Sequence, residues 1–284
     1  MRYIRQEIFS EIGKEGQKRL RKSSVAVVGL GALGSVSASL LARAGIGKLI
    51  LIDRDIVELS NLQRQSLFDE NDIGKPKALA AKENLSKINS DVETVSVIDD
   101  LNYNNINEII SMNNNFNIEK INNQIYKKTN KNKIDLILDC TDNLETRFLL
   151  NDYSIKTKIP FIHSSAVGSK GCVFNVMPGK TPCIRCFLKE AQQLDTCDTA
   201  GVVNTITNLI PSVQVNEAIK IILNKKNIEK NLLFFDIWKN ELLKIKVKSL
   251  KEFLEAEKIK SVGENAFYLI GGGSRISSEY SLES

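Results

Sequence analysis

The sequence has few of the features that mark membrane or secreted proteins. No apolar run approaches the roughly 18 residues of a membrane span, and the opening segment MRYIRQEIF lacks the apolar core of a signal peptide. Only 5 of the 284 residues are proline and only 1 is histidine, whereas 42% are hydrophobic. This composition is sufficient for one large domain with a sizeable core, or for one domain with an appendage.

Cysteine is also scarce, with 5 residues in the chain. Without an export signal, so small a set favours reduced thiols or metal ligands, and we expect a cytoplasmic protein. The formal net charge of +5 is spread thinly and rests partly on Asn/Lys-rich segments. It favours a solvated basic surface, so neither a nucleic acid nor a membrane is expected as a partner.

Residues 24–53 carry the pattern of a strand–helix–strand unit. The run VAVV predicts a buried strand, GLGALG a glycine turn, SVSASLLARAG a helix and KLILID a second buried strand. A unit of about 30 residues with this order predicts parallel strands. The fold class that follows is α/β, with a Rossmann-like, doubly wound and mostly parallel sheet.

The rest of the chain supplies further elements of the same kind and an antiparallel C-terminal extension. Helices are predicted over 1–20, 75–88 and 208–224 (the last after Thr205–Thr207), strands around 92–98 and 134–139, two strands within 160–177, and a hairpin from 232–238 and 242–248. The Asn-rich segment at about 102–132 predicts a surface insertion, because such composition buries little apolar area. We therefore divide the chain into a domain over 1–248 and a tail over 249–284.

The glycine turn predicts a nucleotide site. Gly29, Gly31 and Gly34 have the G-x-G-x-x-G spacing between a strand and a helix, where the backbone can approach phosphate closely. Asp53 ends the next strand, where an acid can accept hydrogen bonds from ribose hydroxyls. A tight turn with no ligand would leave Asp53 without a role. The spacing alone does not separate a dinucleotide from ATP.

The polar segment SNLQRQ favours a triphosphate. It offers Asn61, Arg64 and Gln65, and Lys77 follows in DIGKPK. Arginine and lysine neutralise phosphate oxygens, and neutral amides orient them. Asp142 in DCTDN follows another strand, where it could hold Mg²⁺ on a nucleotide. The alternative is a polar loop with Ser60 as a helix N-cap, and a hydride carrier would need none of these groups.

The chain resembles the MoeB/ThiF/HesA adenylyltransferases, the prokaryotic branch of the ubiquitin-activating-enzyme superfamily. The matching blocks are RYIRQ, GLGALG, D-x-D-x-VELSNLQRQ, DIGKPK, LDCTDN, PG-x-x-PC-x-RC and C-x-x-AGVV. They run in order from about residue 2 to residue 247, interrupted by the Asn-rich insertion. SNLQRQ followed by DCTDN is specific to this group.

The resemblance implies a homodimer that binds MgATP and the C-terminal Gly-Gly tail of a small β-grasp, ubiquitin-like protein. The enzyme would adenylate the terminal carboxylate and release pyrophosphate. The implied catalytic residues are Arg5 (inserted into the partner subunit's site), Arg64, Lys77, Asp142 (through Mg²⁺) and Cys197. The implied ATP-binding residues are Gly29, Gly31, Ala32 (glycine in many relatives), Gly34, Asp53 (ribose), Ser60, Asn61, Arg64, Gln65, Lys77, Asp142 and Asn143.

This inventory suits the chemistry. A carboxylate is already ionised at neutral pH, so its attack on phosphorus requires positioning and charge neutralisation and no general base. The single histidine, His163, is accordingly interpreted as structural or site-lining. Cys140 and Cys172 are interpreted as core thiols.

The remaining cysteines depart from the pattern. In relatives the C-x-x-C formed here by Cys183 and Cys186 joins a second pair to bind structural zinc. This chain has no cysteine after Cys197, so we expect that zinc has been lost from an incomplete half-site, or else that two ligands come from elsewhere. A redox dithiol is the weaker alternative. Cys197 is either a nucleophile toward the activated tail or a bystander.

The C-terminal sequence NAFYLIGGG, with Gly271–Gly273, echoes the tail of a carrier protein, although a flexible linker is the more ordinary interpretation. The predicted function is adenylation of a sulfur carrier for molybdopterin, thiamine or thiolated-tRNA synthesis. The alternatives are an activating enzyme for protein conjugation or for a peptide natural product, a nicotinamide-dependent oxidoreductase, and a degenerate binding scaffold.

Overall fold

A computed structural model describes residues 2–111, 134–188 and 200–248. Its strands are β1 (Ser24–Val28), β2 (Lys48–Ile52), β3 (Glu93–Val97), β4 (Leu136–Asp139), β5 (Phe161–Val167), β6 (Lys170–Val176), β7 (Leu232–Asp236) and β8 (Glu241–Ile245). The helices are α1 (Ile4–Ile8), α2 (Gly13–Lys22), α3 (Ala32–Ala44), α4 (Lys77–Ile88), α5 (Ile106–Ser111), α6 (Leu144–Thr157) and α7 (Asn204–Ile222).

The eight strands form one sheet in the order β3-β2-β1-β4-β5-β6-β7-β8. The first five of these pair in parallel, and β5 through β8 pair antiparallel. The predicted fold class is confirmed, as is the C-terminal hairpin of β7 and β8. The direction of winding changes between β1 and β4, which is where open α/β sheets bind ligands.

Helices cover both faces of the sheet, which explains the continuous apolar runs in its strands. Val25 and Val27 of β1 belong to the core shared with α3, α4 and α7. Ala26 and Val28 belong to the opposite core, which includes α5 and α6. All five residues of β1 are buried, as expected for a parallel strand packed on two sides.

Three boundaries differ from the sequence predictions. The predicted helix over 1–20 is two helices, because Gly13 adopts a φ of 62° at the start of α2. Helix α7 begins at Asn204, so Thr205–Thr207 lie inside it. Helix α5 lies within the segment predicted as an insertion, and it forms because Ile106, Ile109 and Ile110 place apolar side chains on one buried face.

Several predicted features lie outside the described residues. These are most of the Asn-rich segment (112–133), the segment with Cys197 (189–199) and the tail (249–284), including Gly271–Gly273. The domain boundary at residue 248 therefore stays a prediction. Among the helices that the structure describes, none has the combination of length and apolarity needed to cross a bilayer.

Candidate active site

A cavity of about 1040 Å³ opens at the carboxyl ends of β1, β2 and β4. Gly29 and Gly31 line it after β1, Asp53 after β2, and Thr141 and Asp142 after β4. The switch in winding direction thus brings together groups that are more than a hundred residues apart in sequence.

The glycine turn brings the backbone to the cavity wall. Gly29 has a φ of 85°, and a Cβ on it would lie 2.7 Å from the Cys140 carbonyl oxygen. A Cβ on Gly34 would lie 1.8 Å from the Gly29 carbonyl oxygen, so Gly34 permits close packing of α3 on the turn and does not itself line the cavity. Gly31 is the N-cap of α3, and Ala32 is its first residue. The positive end of the helix dipole therefore faces the cavity.

Asp53 is held rigidly at the cavity wall. Its Oδ2 accepts a hydrogen bond from the Leu30 backbone N–H (2.6 Å), and its Oδ1 accepts one from the Asp55 N–H (2.8 Å). Burial raises the pKa of Asp53, although the charge of Lys77 and these two hydrogen bonds act in the opposite direction. Each oxygen keeps a lone pair, so the carboxylate can also accept ribose hydroxyls.

The segment SNLQRQ begins in a 3₁₀ turn, Leu59–Asn61. Four of its side chains line the cavity: Ser60, Asn61, Arg64 and Gln65. The buried Asn61 side chain accepts from the Glu58 N–H (3.3 Å), which fixes the turn. Arg64 donates from Nη1 to the Ser60 carbonyl oxygen (2.9 Å). Gln65 is 3% exposed, and its Oε1 has no hydrogen-bond partner. An unsatisfied buried acceptor beside a cavity favours a ligand with a donor group at that point.

Two further cations of the cavity wall are paired with carboxylates. Lys77 Nζ lies 3.0 Å from Asp55 Oδ2, although its side chain is only 8% exposed. Arg54 Nη1 lies 2.8 Å from Asp100 Oδ2. The family resemblance implied that Lys77 contacts phosphate, and no sequence pattern predicted its pairing with Asp55.

The turn after β4 carries the predicted metal ligand. Asp142 is exposed and lines the cavity. Asn143 lines it too, but its Oδ1 accepts from the Thr146 N–H (2.9 Å) and so caps α6. Asp139 Oδ1 fixes the turn from below, because it accepts from both the N–H (2.9 Å) and the hydroxyl (2.7 Å) of Thr141.

A cluster of three buried side chains, Asp139, Arg147 and His163, supports this turn. The sequence interpretation did not predict Asp139 or Arg147. Arg147 lines the cavity and donates from Nη2 to the Thr141 carbonyl oxygen (2.6 Å), and its Nε lies 3.7 Å from Asp139 Oδ2. His163 Nδ1 lies 2.7 Å from the same Asp139 oxygen. Asp139, Arg147 and His163 are all buried. His163 is therefore a structural neighbour of the site and not part of the cavity lining.

Hydrogen bonding fixes the ionisation of this group. Burial alone would raise the pKa of Asp139, but the hydrogen bond with His163 and the charge of Arg147 outweigh it and lower the pKa. Burial would lower the pKa of His163, but the bond to Asp139 and the contact with Cys172 raise it. Cys172 Sγ lies 3.9 Å from His163 Nε2. Cys172 is buried, as predicted, although it has a polar neighbour.

The cavity wall has more negative than positive side chains. Its acids are Asp53, Asp55, Glu58, Asp99, Asp100 and Asp142, and its cations are Arg54, Arg64, Lys77 and Arg147. Among the described residues, therefore, added positive charge such as that of a metal ion would favour an anionic ligand in this cavity.

Some predicted site residues lie away from the cavity. Arg5 is exposed on α1, which docks at the C-terminal end of α3, where Gln6 Nε2 donates to the Ala44 carbonyl oxygen (2.9 Å). Because α3 starts at the cavity and has 13 residues, its C-terminal end, where α1 docks, is about 20 Å from the glycine turn of the same chain. Cys140, by contrast, borders the cavity; it is a buried core thiol as predicted, and burial raises its pKa to about 12.

Cys183 and Cys186 lie in a separate short turn, here called the knuckle, that packs against α6. Cys183 and Cys186 have their sulfur atoms 3.7 Å apart. The knuckle is attached to α6 because the Ile184 N–H donates to Asn151 Oδ1 (3.0 Å) and Arg185 makes two bonds to Asp152. Within the described ranges no three His, Cys, Asp or Glu side chains have the arrangement of a metal site. The loss of zinc stays a prediction.

Comparison with known proteins gives consistent matches over most of the chain. The sequence pattern of the ThiF family matches residues 3–254. The sulfur carrier protein ThiS adenylyltransferase of Bacillus subtilis is 41% identical over 254 residues, which cover 88% of this chain and 69% of that protein. The SAMP-activating enzyme E1 of Haloferax volcanii is 34% identical over 239 residues, or 83% of this chain and 80% of that protein.

Solved structures agree at the level of the fold. The crystal structure of E. coli MccB with MccA-N7isoASN has a TM-score of 0.71 and 21% sequence identity, and the match covers 88% of this chain and 73% of that one.

Proposed function

Because this chain belongs to the ThiF family, we propose that it adenylates the C-terminal carboxylate of a small ubiquitin-like sulfur-carrier protein and releases pyrophosphate. The observation that carries the proposal is one cavity wall that holds the glycine turn, Asp53, the SNLQRQ segment, Lys77 and Asp142 together. The activity named for both relatives is the activation of a carrier or modifier protein. The named B. subtilis relative favours a carrier of the ThiS type.

The residues present fit ATP. The glycine turn leaves room for phosphate beside Gly31. A Cβ built on Gly31 would project into the cavity, and its nearest neighbour would be Gln65 Nε2, 3.8 Å away. Asp53 is placed for the ribose. The unsatisfied Gln65 Oε1 can accept a hydrogen bond from a ligand.

The reaction requires charge neutralisation more than proton transfer. The carboxylate oxygen of the carrier attacks the α-phosphorus of ATP, a new O–P bond forms, and the bond to the β-phosphate oxygen breaks as pyrophosphate leaves. Arg64 is placed to neutralise phosphate oxygens. Lys77 has three donor hydrogens, so it can contact phosphate and keep Asp55. The carboxylate is already ionised, which agrees with the absence of a histidine from the cavity wall.

We further propose that Asp142 would hold Mg²⁺ beside the nucleotide phosphates. When bound, Mg²⁺ supplies positive charge to a wall that has more acids than cations. Asp142 is exposed at the cavity and needs no rearrangement to serve as a ligand.

A homodimer would complete the site. Helix α1 docks at the end of α3 that is about 20 Å from its own cavity, so we propose that Arg5 acts in the cavity of a second copy. There it would add one positive charge to the wall.

We also propose Cys197 as a candidate acceptor of the activated carboxyl group. The sulfur-transfer pathway in which it would act is expected to be cytoplasmic.

ATP–pyrophosphate exchange tests the proposal. The probe is the carrier ThiS of B. subtilis, compared with the same protein whose C-terminal carboxylate has been converted to an amide. We expect exchange with the first and none with the second, because the amide is not a nucleophile here. Asp142→Asn should lower the exchange rate by about a hundredfold or more.

Asp91→Asn is the matched control, because Asp91 is an exposed acid outside the cavity lining. It should leave exchange unchanged. Hydride transfer to a nicotinamide cofactor without any exchange would refute the proposal in favour of an oxidoreductase.

A further inference from the structure

Arg147 is the least expected cation of the cavity. Arg54 and Lys77 are bound to carboxylates of the wall, whereas Arg64 and Arg147 donate to backbone carbonyl oxygens. The Arg147 side chain is 8% exposed, and its Nε has no hydrogen-bond acceptor. A guanidinium that is more than nine-tenths buried, lines a cavity and has its hydrogen bond to a backbone carbonyl is arranged to bind an oxyanion.

The support behind Arg147 fixes its position without satisfying it. Asp139 lies 3.7 Å from Nε, which allows charge attraction but is too long for a hydrogen bond. His163 takes the nearer position on the same carboxylate oxygen, at 2.7 Å. The other Asp139 oxygen is occupied by Thr141. His163 is therefore the nearer partner of the Asp139 oxygen that faces Arg147.

We propose that the Arg147 guanidinium binds the reacting oxyanion in the cavity, and that His163 is a positioning residue that acts on Arg147 through Asp139. This inference rests on the proposed function. The oxyanion is either the α-phosphate of the nucleotide or the terminal carboxylate of the carrier. Both groups match the planar donor fork of arginine. Arg147 also donates to Thr141, the residue before Asp142, so its anion would lie next to the proposed metal ligand.

Two measurements on Arg147→Met separate the two oxyanions. The first is the affinity for AMP relative to adenosine, which isolates the contribution of the α-phosphate. The second is the KM for ThiS in the exchange reaction. If Arg147 binds the α-phosphate, the preference for AMP should fall by about tenfold or more. If it binds the carboxylate, the preference should stay and the KM for ThiS should rise by a similar factor.

The controls distinguish a binding role from loss of structure. Arg147→Lys keeps the positive charge but loses the planar pair of guanidinium donors. It should therefore recover only part of the affinity that Arg147→Met loses. Ser154→Ala removes a buried hydrogen bond two turns further along α6, to the Ile159 carbonyl oxygen, and should leave both measurements unchanged. If wild-type protein shows no exchange, the proposed function fails. If wild type is active and Arg147→Met leaves both measurements unchanged, only this inference fails.

His163 is tested through its coupling to Arg147. His163→Leu removes the donor to Asp139, whereas His163→Asn keeps a donor near the position of Nδ1. We expect the leucine variant to lower whichever measurement Arg147→Met lowers, and the asparagine variant to restore most of it. In the Arg147→Met background, His163→Leu should have no further effect on that measurement. An equal effect of His163→Leu in both backgrounds would overturn the positioning role.

Discussion

Asp53 has a structural role in the fold and is also the residue proposed to bind the ribose. Its carboxylate oxygens accept the N–H groups of Leu30 and Asp55, so it holds the glycine turn to the end of β2. The same carboxylate faces the cavity. A substitution of Asp53 will disturb the turn as well as the nucleotide, so an informative experiment has to separate the two effects.

The separation uses ATP and 2′,3′-dideoxy-ATP, which lacks the ribose hydroxyls. We expect wild-type protein to prefer ATP by about tenfold to a hundredfold, because hydrogen bonds to a charged group contribute about 1.5–3 kcal/mol. In Asp53→Ala this preference should disappear, even if both affinities fall. The measurement is calorimetric titration with each nucleotide. An unchanged preference would mean that Asp53 does not hold the ribose.

The same ratio has a predictable pH dependence. Burial raises the pKa of Asp53, so the carboxylate becomes protonated at a higher pH than an ordinary aspartate with a pKa near 3.9. The preference for ATP should therefore be full at neutral pH and decline as the pH falls toward that raised pKa. Titration of the phosphates cancels in the ratio because both nucleotides carry them. A preference that holds down to an ordinary aspartate pKa would contradict the effect of burial.

Local spacing predicted the glycines, Asp53 and the SNLQRQ residues, since each of these stands in a short pattern with a known geometry. Asp55 and Arg147 gave no such signal. Lys77 and Asp55 are 22 residues apart in sequence, and His163 and Asp139 are 24 apart, so only the folded chain brings these charges together. Arg147 is four residues after the N-cap Asn143, a spacing that could have placed it on the cavity side of α6.

At the scale of elements, the contact between α3 and the end of β1 depends on two glycines with different roles. A Cβ on Gly34 would overlap the Gly29 carbonyl oxygen, whereas a Cβ on Gly31 would meet nothing closer than 3.8 Å and would point into the cavity. Gly34 is therefore required for packing, whereas Gly31 is proposed to leave space for a ligand.

We expect Gly34→Ala to destabilise the protein by about 3 kcal/mol, or about 6–12 °C in Tm, because backbone atoms have to move apart. Gly31→Ala should change stability by less than about 1 kcal/mol and still weaken ATP binding about tenfold or more. Thermal denaturation and nucleotide titration on both variants check this. Equal losses of stability in the two variants would contradict the division of roles.

Elements with a long periodic pattern were predicted well, and short ones at the edges were not. The two strands of the strand–helix–strand unit are short, mostly apolar runs, and so is β7, whereas β8 mixes apolar residues with Glu241 and Lys244. The N-terminal helix was predicted as one because a single glycine with positive φ leaves no mark on the apolar spacing. Helix α5 was missed because asparagine-rich composition surrounds its three buried isoleucines.

At the scale of the whole molecule, the N-terminal helix lies at the opposite end of α3 from the cavity of its own chain. Arg5 lies at the far end of α3, where α1 is held by Gln6 and by the bond between Tyr3 and Asn89. If Arg5 acts in catalysis, it acts in a second copy, and activity becomes a property of the dimer.

Co-expression of Arg5→Ala with Arg64→Ala tests this arrangement. Each variant alone should be inactive, because every site lacks one of the two arginines. Half of the randomly formed dimers are mixed, and each mixed dimer has one complete site, so about a quarter of wild-type exchange should return. A mixture as inactive as either variant alone would show that Arg5 does not act across the interface.

The six acids and four cations of the cavity wall have a consequence for selectivity. With no ligand present, such a wall attracts cations and repels bare polyanions, although the chain as a whole carries a net charge of +5. If the proposed function holds, bare nucleotides would meet more repulsion from this field than nucleotides that arrive already chelated. The surplus of carboxylates among the described residues would then favour ATP in its metal-bound form.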